Sequence, residues 1–273
     1  MSTVTHYRPT FPRLARSELR KLTTLRSTWV ISVLTVLFYL LISFFVAEAV
    51  DSMTSYMSRR ELAAFTSSYM VTSIFQIALL FGIAFGTMVM TAEYSHNTIQ
   101  TSLLASRSRL SFYGAKILVL TVFWASVAAT ALLLSTLLIN ISISRHDVSL
   151  PLGEIGFWAS LASCVVVIVC GALMAAGMGA VLRSTVGATT LMFGLVLILP
   201  ILEVIPLDFL SDMAPYFPIN VMSSAVAPRE EGILGDVLLR EDALSANASL
   251  AVLLVYTIVF VGAGALSIKK RDA

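Results

Sequence analysis

The chain has 273 residues, of which 58% are hydrophobic and 12% are charged, whereas soluble domains carry about 25% charged residues. This composition excludes an ordinary soluble domain and indicates that lipid is the solvent of most of the chain. The formal net charge of +2 is too small to indicate nucleic-acid binding, so we expect no nucleic-acid partner.

Residues 1–28 are expected to form a cytoplasmic tail with an amphipathic helix over 12–27. Its apolar side chains recur every three or four positions, and its basic side chains mostly occupy other faces. The apolar set is Ala15, Leu19, Leu22 and Leu25, and the basic set is Arg13, Arg16, Arg20 and Lys21. Trp29 marks the entry into the membrane, because indole favours the interface. The pattern predicts an interfacial helix that contacts membrane lipids through anionic headgroups, with a solvated basic tail as the alternative.

Six apolar runs are each about long enough to cross ~30 Å of hydrocarbon, and they are apolar nearly all round. The runs are residues 29–49, 69–91, 113–139, 157–182, 187–205 and 250–268. The sequence therefore predicts an all-α integral membrane protein with a six-helix transmembrane domain over 29–268.

The end of the first span also resembles a signal-peptidase site, because Ala47 and Ala49 are small residues. The long polar tail before this span and the length of its apolar run favour an uncleaved membrane anchor.

Positive charge predicts that both termini are cytoplasmic, since Lys and Arg accumulate on that side of short loops. With the N-terminus inside, thirteen of the 18 basic residues lie in cytoplasmic segments, including the basic tail 269–273. The long extracellular loop 206–249 is rich in proline. It either dips back into the outer leaflet, where it would close an exit path, or lies on the surface.

The cytoplasmic loop after the second span predicts a short helix over 93–106. Asn97 or Ser95 would cap it, and Ile99, Leu103 and Leu104 would form an apolar ridge. A ridge that no lipid covers suits docking to a cytosolic partner. A plain connector that lies against the headgroups is the alternative.

The sequence contains no recognisable catalytic motif, metal site or nucleotide-binding site. No lysine fits a Walker A motif, and His6, His96 and His146 lie in three separate segments. We therefore expect no catalytic residue, no metal and no directly bound cofactor. Cys164 and Cys170 are expected to be small core residues.

Ionisable side chains near the ends of spans are costly enough to be examined singly. They are Glu48, Glu93, Lys116 and Glu203. Lys116 can snorkel, Glu93 begins the cytoplasmic loop and Glu48 is expected in water, so structural roles are favoured for these three. Glu203 lies between two prolines, where a helix break is expected, and it either faces a translocation path or is structural.

Small residues at four-residue spacing predict close contacts between helices. They are Gly82 and Gly86 in the second span and Gly171, Ala175 and Gly179 in the fourth. Packing within the chain is favoured over a subunit interface.

Four features occur together in this sequence. The first is the segment SELRKLTTLRSTW before the first span, which includes Glu18, and the second is the six-helix layout. The third is Glu93 at the end of the second span, followed by Thr98, Ile99, Leu103, Leu104, Arg107, Arg109 and Lys116. The fourth is the terminal run Lys269, Lys270, Arg271 and Asp272. Together they resemble the permease family of type 2 ABC exporters, of the drug and bacitracin export kind. Asn97 and Ser106 stand where that family often has glycine and proline.

The resemblance implies that helix 12–27 is the family's connecting helix and that residues 93–106 form a coupling helix. The coupling helix would dock on a separate cytosolic ATPase subunit, present in two copies that bind ATP and Mg. Two permease copies, identical or related, would then alternate between inward-facing and outward-facing states. The expected function is export of a drug, peptide or lipid-like substrate across a bacterial plasma membrane, and the chain itself would not be an enzyme. A secondary transporter is the alternative, and a membrane-embedded enzyme is less favoured.

Overall fold

The structure is a computed structural model that describes residues 10–53, 71–95, 108–146, 150–205, 207–227, 229 and 243–270. The described residues are almost entirely helical, and no strand occurs among them. Their α-helices, in chain order, are α1 (Phe11–Thr24), α2 (Arg26–Met53), α3 (Phe75–Ser95), α4 (Arg109–Ile143), α5 (Ile155–Leu182), α6 (Thr185–Phe193), α7 (Asp208–Met213), α8 (Pro218–Ala225) and α9 (Ala246–Lys270).

Within the described ranges, six helical segments are long and apolar enough to cross a membrane. They are Arg26–Ala49, Phe75–Tyr94, Arg109–Ile143, Ile155–Leu182, Thr185–Glu203 and Ala246–Lys270. The predicted number of spans is confirmed, and the chain is an all-α, multi-pass membrane protein. The third helix is longer than the apolar run 113–139, because Ser108 caps its start through the backbone N–H of Ser111.

Helix α5 forms the centre of the bundle, and α3 is its closest neighbour. A Cβ atom added to Gly86 of α3 would collide with the backbone carbonyl of Ala172 on α5. Conversely, a Cβ atom on Gly171 of α5 would collide with the Leu79 side chain of α3. The absence of a side chain on each helix therefore lets the two backbones approach closely.

The remaining small residues lie at the same set of contacts. A Cβ atom on Gly82 would lie 2.7 Å from the indole nitrogen of Trp124 on α4, and one on Gly179 would lie 3.2 Å from Thr91 Cγ2. Ala175 is fully buried. All five small residues thus lie at contacts inside the chain, whereas α2, α6 and α9 leave most of their surface for lipid or for another subunit.

The fifth span is broken in its second half, where the sequence predicts a break. Helix α6 continues as a π-helix, Gly194–Ile198, and then as a 3-10 helix, Leu199–Val204. Pro200 lacks an N–H donor and its ring displaces the carbonyl four residues earlier, so regular α-helical bonding cannot continue past it. Glu203 follows and accepts a hydrogen bond from the amide of Asn220.

The described part of the segment after the fifth span returns along the bundle. The short helix α8 packs against α5 and α9, and Val221, Met222 and Ala225 are fully buried there. The hydroxyl of Tyr256, near the middle of α9, donates to the Tyr216 carbonyl at 2.8 Å. Residues 218–227 are therefore packed against the bundle, whereas the side chains of 207–213 are mostly exposed.

Candidate functional site

Helix α1 lies across the point where α3 finishes and α4 begins, which we call the α1 end of the bundle. Its buried face is formed by Leu14, Glu18 and Leu22, spaced by four residues along one side of the helix. Leu19 and Leu25 are 44% and 47% exposed. The predicted apolar set is therefore divided, because Leu22 packs against the bundle while Leu19 and Leu25 are exposed, and the sequence pattern missed the buried face with its carboxylate.

The short connection from α1 into α2 is held by Trp29. Its indole N–H donates to the Thr23 carbonyl at 2.8 Å, and its ring meets Phe123 of α4 edge-on at 6.3 Å. The predicted basic residues Arg13, Arg16 and Arg20 are exposed on α1. The helix is thereby fixed to the bundle on one side and presents positive charge on another.

Four ionised side chains from three helices form a buried network at the α1 end. Lys116 of α4 lies 3.1 Å from Glu18 Oε2 and 3.1 Å from Glu93 Oε1. Lys21 lies 2.8 Å from Glu18 Oε1 and 3.1 Å from Glu93 Oε1. Lys116, Glu18 and Glu93 are only 5%, 6% and 8% exposed, whereas the side chain of Lys21 is 46% exposed.

Two sequence-based expectations are wrong at this point. Lys116 does not snorkel to water, because it is buried and paired with Glu18 and Glu93. Glu93 does not begin the loop, because α3 continues to Ser95. Burial is tolerated since two carboxylates and two ammonium groups neutralise one another locally. The network joins residues far apart in sequence, since Lys21 and Glu93 have a sequence separation of 72, and no local pattern predicts such a pairing.

The pKa of Glu18 makes the α1 contact sensitive to acid. Burial opposes ionisation, but Lys116 and Lys21 outweigh it and hold the pKa of Glu18 below its ordinary value of 4.5. The contribution of Glu18 to stability is therefore fully present above pH 4.5 and is lost as the pH falls through the lower folded-state pKa.

Thermal unfolding measured by circular dichroism at several pH values tests this assignment of Glu18. We expect the unfolding midpoint to fall on acidification, and to fall less steeply in Glu18→Gln. The exposed Glu154→Gln, at the other end of the bundle, should behave as the unchanged chain; equal slopes for all three proteins would contradict this assignment.

A cavity of about 580 Å³ lies beside the network. All four charged residues line it, together with apolar side chains of α1, α3 and α4. Glu93 contributes an unusual feature, since its Oε1 accepts from both lysines while its buried Oε2 has no hydrogen-bond partner in the described part of the chain. A buried carboxylate oxygen without a donor is costly.

The turn between α5 and α6 is fastened to the end of α3 beside this site. Arg183 caps α5 in the left-handed conformation, with φ 54°, which is the usual position of glycine. Its guanidinium lies 5.3 Å from the centroid of the Tyr94 ring on α3, a contact that glycine could not make. The hydroxyls of Thr91 and Thr185 join α3 to the start of α6 at 2.5 Å.

The remaining predicted site residues divide into two groups. Asn97, Thr98, Ile99, Leu103, Leu104 and Arg107, and hence most of the predicted coupling helix 93–106, lie outside the described residues. Glu203 is partly buried at the opposite end of the bundle, separate from the charged network, with Asn220 as a partner. Cys164 and Cys170 are buried free thiols on α5, as the sequence predicts. No cluster of metal-binding side chains occurs among the residues that were described.

Comparison with known protein families identifies the family of this chain. A family model described as a protein of unknown function, DUF2705, matches residues 53–273. The chain belongs to the DUF2705 family. The matched region contains Glu93, Lys116 and all spans after the first, whereas α1 with Glu18 and Lys21 precedes it. No curated protein matches the chain.

Proposed function

We propose that the chain is the transmembrane permease subunit of an ATP-binding cassette exporter. It would move a drug, peptide or lipid-like substrate outward across a bacterial plasma membrane, with ATP and Mg bound by a separate ATPase chain. The observation that carries the proposal is the buried ion-pair network, because it fastens α1 to both helices that flank residues 96–107. The DUF2705 description assigns no activity and is neutral on this point.

The network supplies a mechanical link of the kind such a subunit needs. Glu93 lies two residues before the end of α3, and Lys116 lies about two turns into α4. Both are paired to α1, which passes directly into α2 at Leu25. A partner that displaces residues 96–107 would therefore move α1, α2, α3 and α4 together, as rigid-body switching requires.

A separate ATPase chain would account for the lack of a Walker motif in this sequence. Two ATPase copies would dock on the cytoplasmic face of two permease copies, identical or related, and the exposed surfaces of α2, α6 and α9 leave room for such pairing. Cytoplasmic termini follow from the distribution of basic residues.

Co-purification tests the proposal directly. The tagged chain is extracted from its native membrane in mild detergent, and the bound proteins are identified and assayed for ATP hydrolysis. We expect a Walker-containing ATPase, and we expect its loss in the double variant Ile99→Asp and Leu103→Asp, since charge on the apolar ridge would oppose docking. Leu152→Asp is the control, because Leu152 is 41% exposed at the opposite end of the bundle.

The result also separates the exporter from a secondary transporter. Recovery of the ATPase with the control and not with the double variant supports the exporter. Purification of the chain without an ATPase, together with transport driven by a proton or sodium gradient, would overturn the proposal in favour of a secondary transporter that uses the broken fifth span and Glu203.

A further inference from the structure

We propose that the face of α1 that points away from the bundle binds the phosphate group of an anionic membrane lipid, through Arg16 and Arg20. The sequence pattern leaves open whether these arginines meet headgroups or only solvent, and the packing of α1 on the bundle favours headgroups. The inference goes beyond the exporter proposal and does not depend on it, since the lipid is a bound partner that holds α1 in place and is not the cargo.

The packing of α1 fixes the direction of both arginines. Glu18 is 6% exposed and lies at the centre of the buried face of α1. Arg16 and Arg20 lie two residues before and two residues after it, which at 3.6 residues per turn places each of them roughly 160° round the helix from Glu18. Both arginines are exposed, so a ligand can reach them. With Arg13 and Ser17 they line an open cavity of about 500 Å³.

The positive charge of this face has no counterpart on α1. Glu18 is the only acidic residue of the helix, and it is buried against Lys116 on the opposite side. No carboxylate in the described part of the chain pairs with Arg16 or Arg20. Like charges four residues apart destabilise a helix. An anion bound between the two guanidinium groups removes this repulsion, and phosphate fits because a guanidinium group can donate two parallel hydrogen bonds to it.

Exposed apolar side chains beside the arginines indicate that a lipid carries the phosphate. Leu19, one residue before Arg20, is 44% exposed, and Leu25 and Trp29 are 47% and 53% exposed. A soluble phosphate would leave these side chains in water, whereas a lipid covers them with its hydrocarbon region. Helix α2 begins at Arg26, directly after α1, so α1 lies at the depth of the headgroups if α2 crosses a bilayer.

Protection of α1 from a protease tests the inference on the whole chain in lipid nanodiscs. One set of nanodiscs contains phosphatidylcholine alone, and the other contains equal parts of phosphatidylcholine and phosphatidylglycerol with identical acyl chains. Chymotrypsin is suitable because it cleaves after leucine and not after arginine. We expect phosphatidylglycerol to slow cleavage after Leu19 by about tenfold, because each arginine beside an anionic surface contributes roughly a fivefold gain in binding, and we expect high salt to reverse this protection. Equal cleavage rates in the two sets would overturn the inference.

A double variant separates the two arginines from a general effect of surface charge. In Arg16→Gln with Arg20→Gln, phosphatidylglycerol should change the cleavage rate by less than about twofold. The rate in phosphatidylcholine alone should stay within about twofold of that of the unchanged chain, because exposed substitutions alter stability little. Arg145→Gln is the control, since Arg145 is also exposed and follows the far end of α4, and it should keep the full protection. Protection that persists in the double variant would contradict the site.

Soluble glycerol phosphate identifies the source of the phosphate group. It is added at millimolar concentration to the chain in phosphatidylcholine nanodiscs. We expect no protection of α1, since the soluble compound has no hydrocarbon to cover Leu19. Protection equal to that given by phosphatidylglycerol would overturn the assignment to a lipid.

Discussion

Replacing Gly86 by alanine is expected to destabilise the protein by about 3 kcal/mol, at the upper end of the range for overpacked contacts. The added Cβ atom would collide with the carbonyl oxygen of Ala172, and that oxygen belongs to the α5 backbone. A flexible side chain could rotate away, but here α3 and α5 must separate. Because α5 is the most buried span, the separation loosens the centre of the bundle.

Gly262→Ala on α9 provides the matched control. A Cβ atom on Gly262 would have no neighbour within 4 Å, so this change should be neutral or stabilise the helix by up to about 1 kcal/mol. Thermal unfolding can be followed with a thiol-reactive fluorophore, since Cys164 and Cys170 are free and buried on α5. We expect the midpoint of Gly86→Ala to fall by roughly 5–10 °C and that of Gly262→Ala to stay or rise. Equal midpoints would show that α3 and α5 are not in close contact.

The spans could be predicted from the sequence because their signal is local. A run of some twenty apolar residues identifies a helix that crosses a bilayer whatever surrounds it. The break in the fifth span is also local, since Pro200 by itself removes a donor and displaces a carbonyl. Even the spacing of Gly82 and Gly86 indicated a close helix contact, although the partner helices had to come from the structure.

The charged network could not be predicted because no single segment contains it. Glu18 lies in the middle of α1, whereas Glu93 and Lys116 lie towards the ends of two other helices, and each taken alone is adequately explained by exposure to water. Only the position of α1 across α3 and α4 makes them mutual partners and excludes water. Glu18 is the clearest example, since an acidic residue within an amphipathic helix is ordinarily assigned to the solvated face.

Lys116→Met is expected to destabilise the protein by about 3–5 kcal/mol, the usual cost of removing one partner from a buried ion pair. Methionine has a similar length and no charge, so the packing volume is largely kept while Glu18 and Glu93 remain buried, with the half-exposed Lys21 as the cation they share. Release of α1 from the bundle is the easiest way for both carboxylates to reach water. We therefore expect α1 to be cleaved more readily by a protease in the folded variant, in addition to a lower unfolding midpoint.

Lys269→Met tests whether the effect follows from burial and not from loss of positive charge, because Lys269 is exposed in the last turn of α9. It should change stability by less than about 0.5 kcal/mol.

Adding Glu18→Gln to Lys116→Met should recover part of the lost stability, since the double variant has one uncompensated carboxylate fewer. Such recovery would demonstrate that Glu18 and Lys116 interact directly, and hence that α1 is coupled to α4. Strictly additive losses would show that the two residues act independently, and the mechanical link on which the proposed transport cycle depends would lose its support.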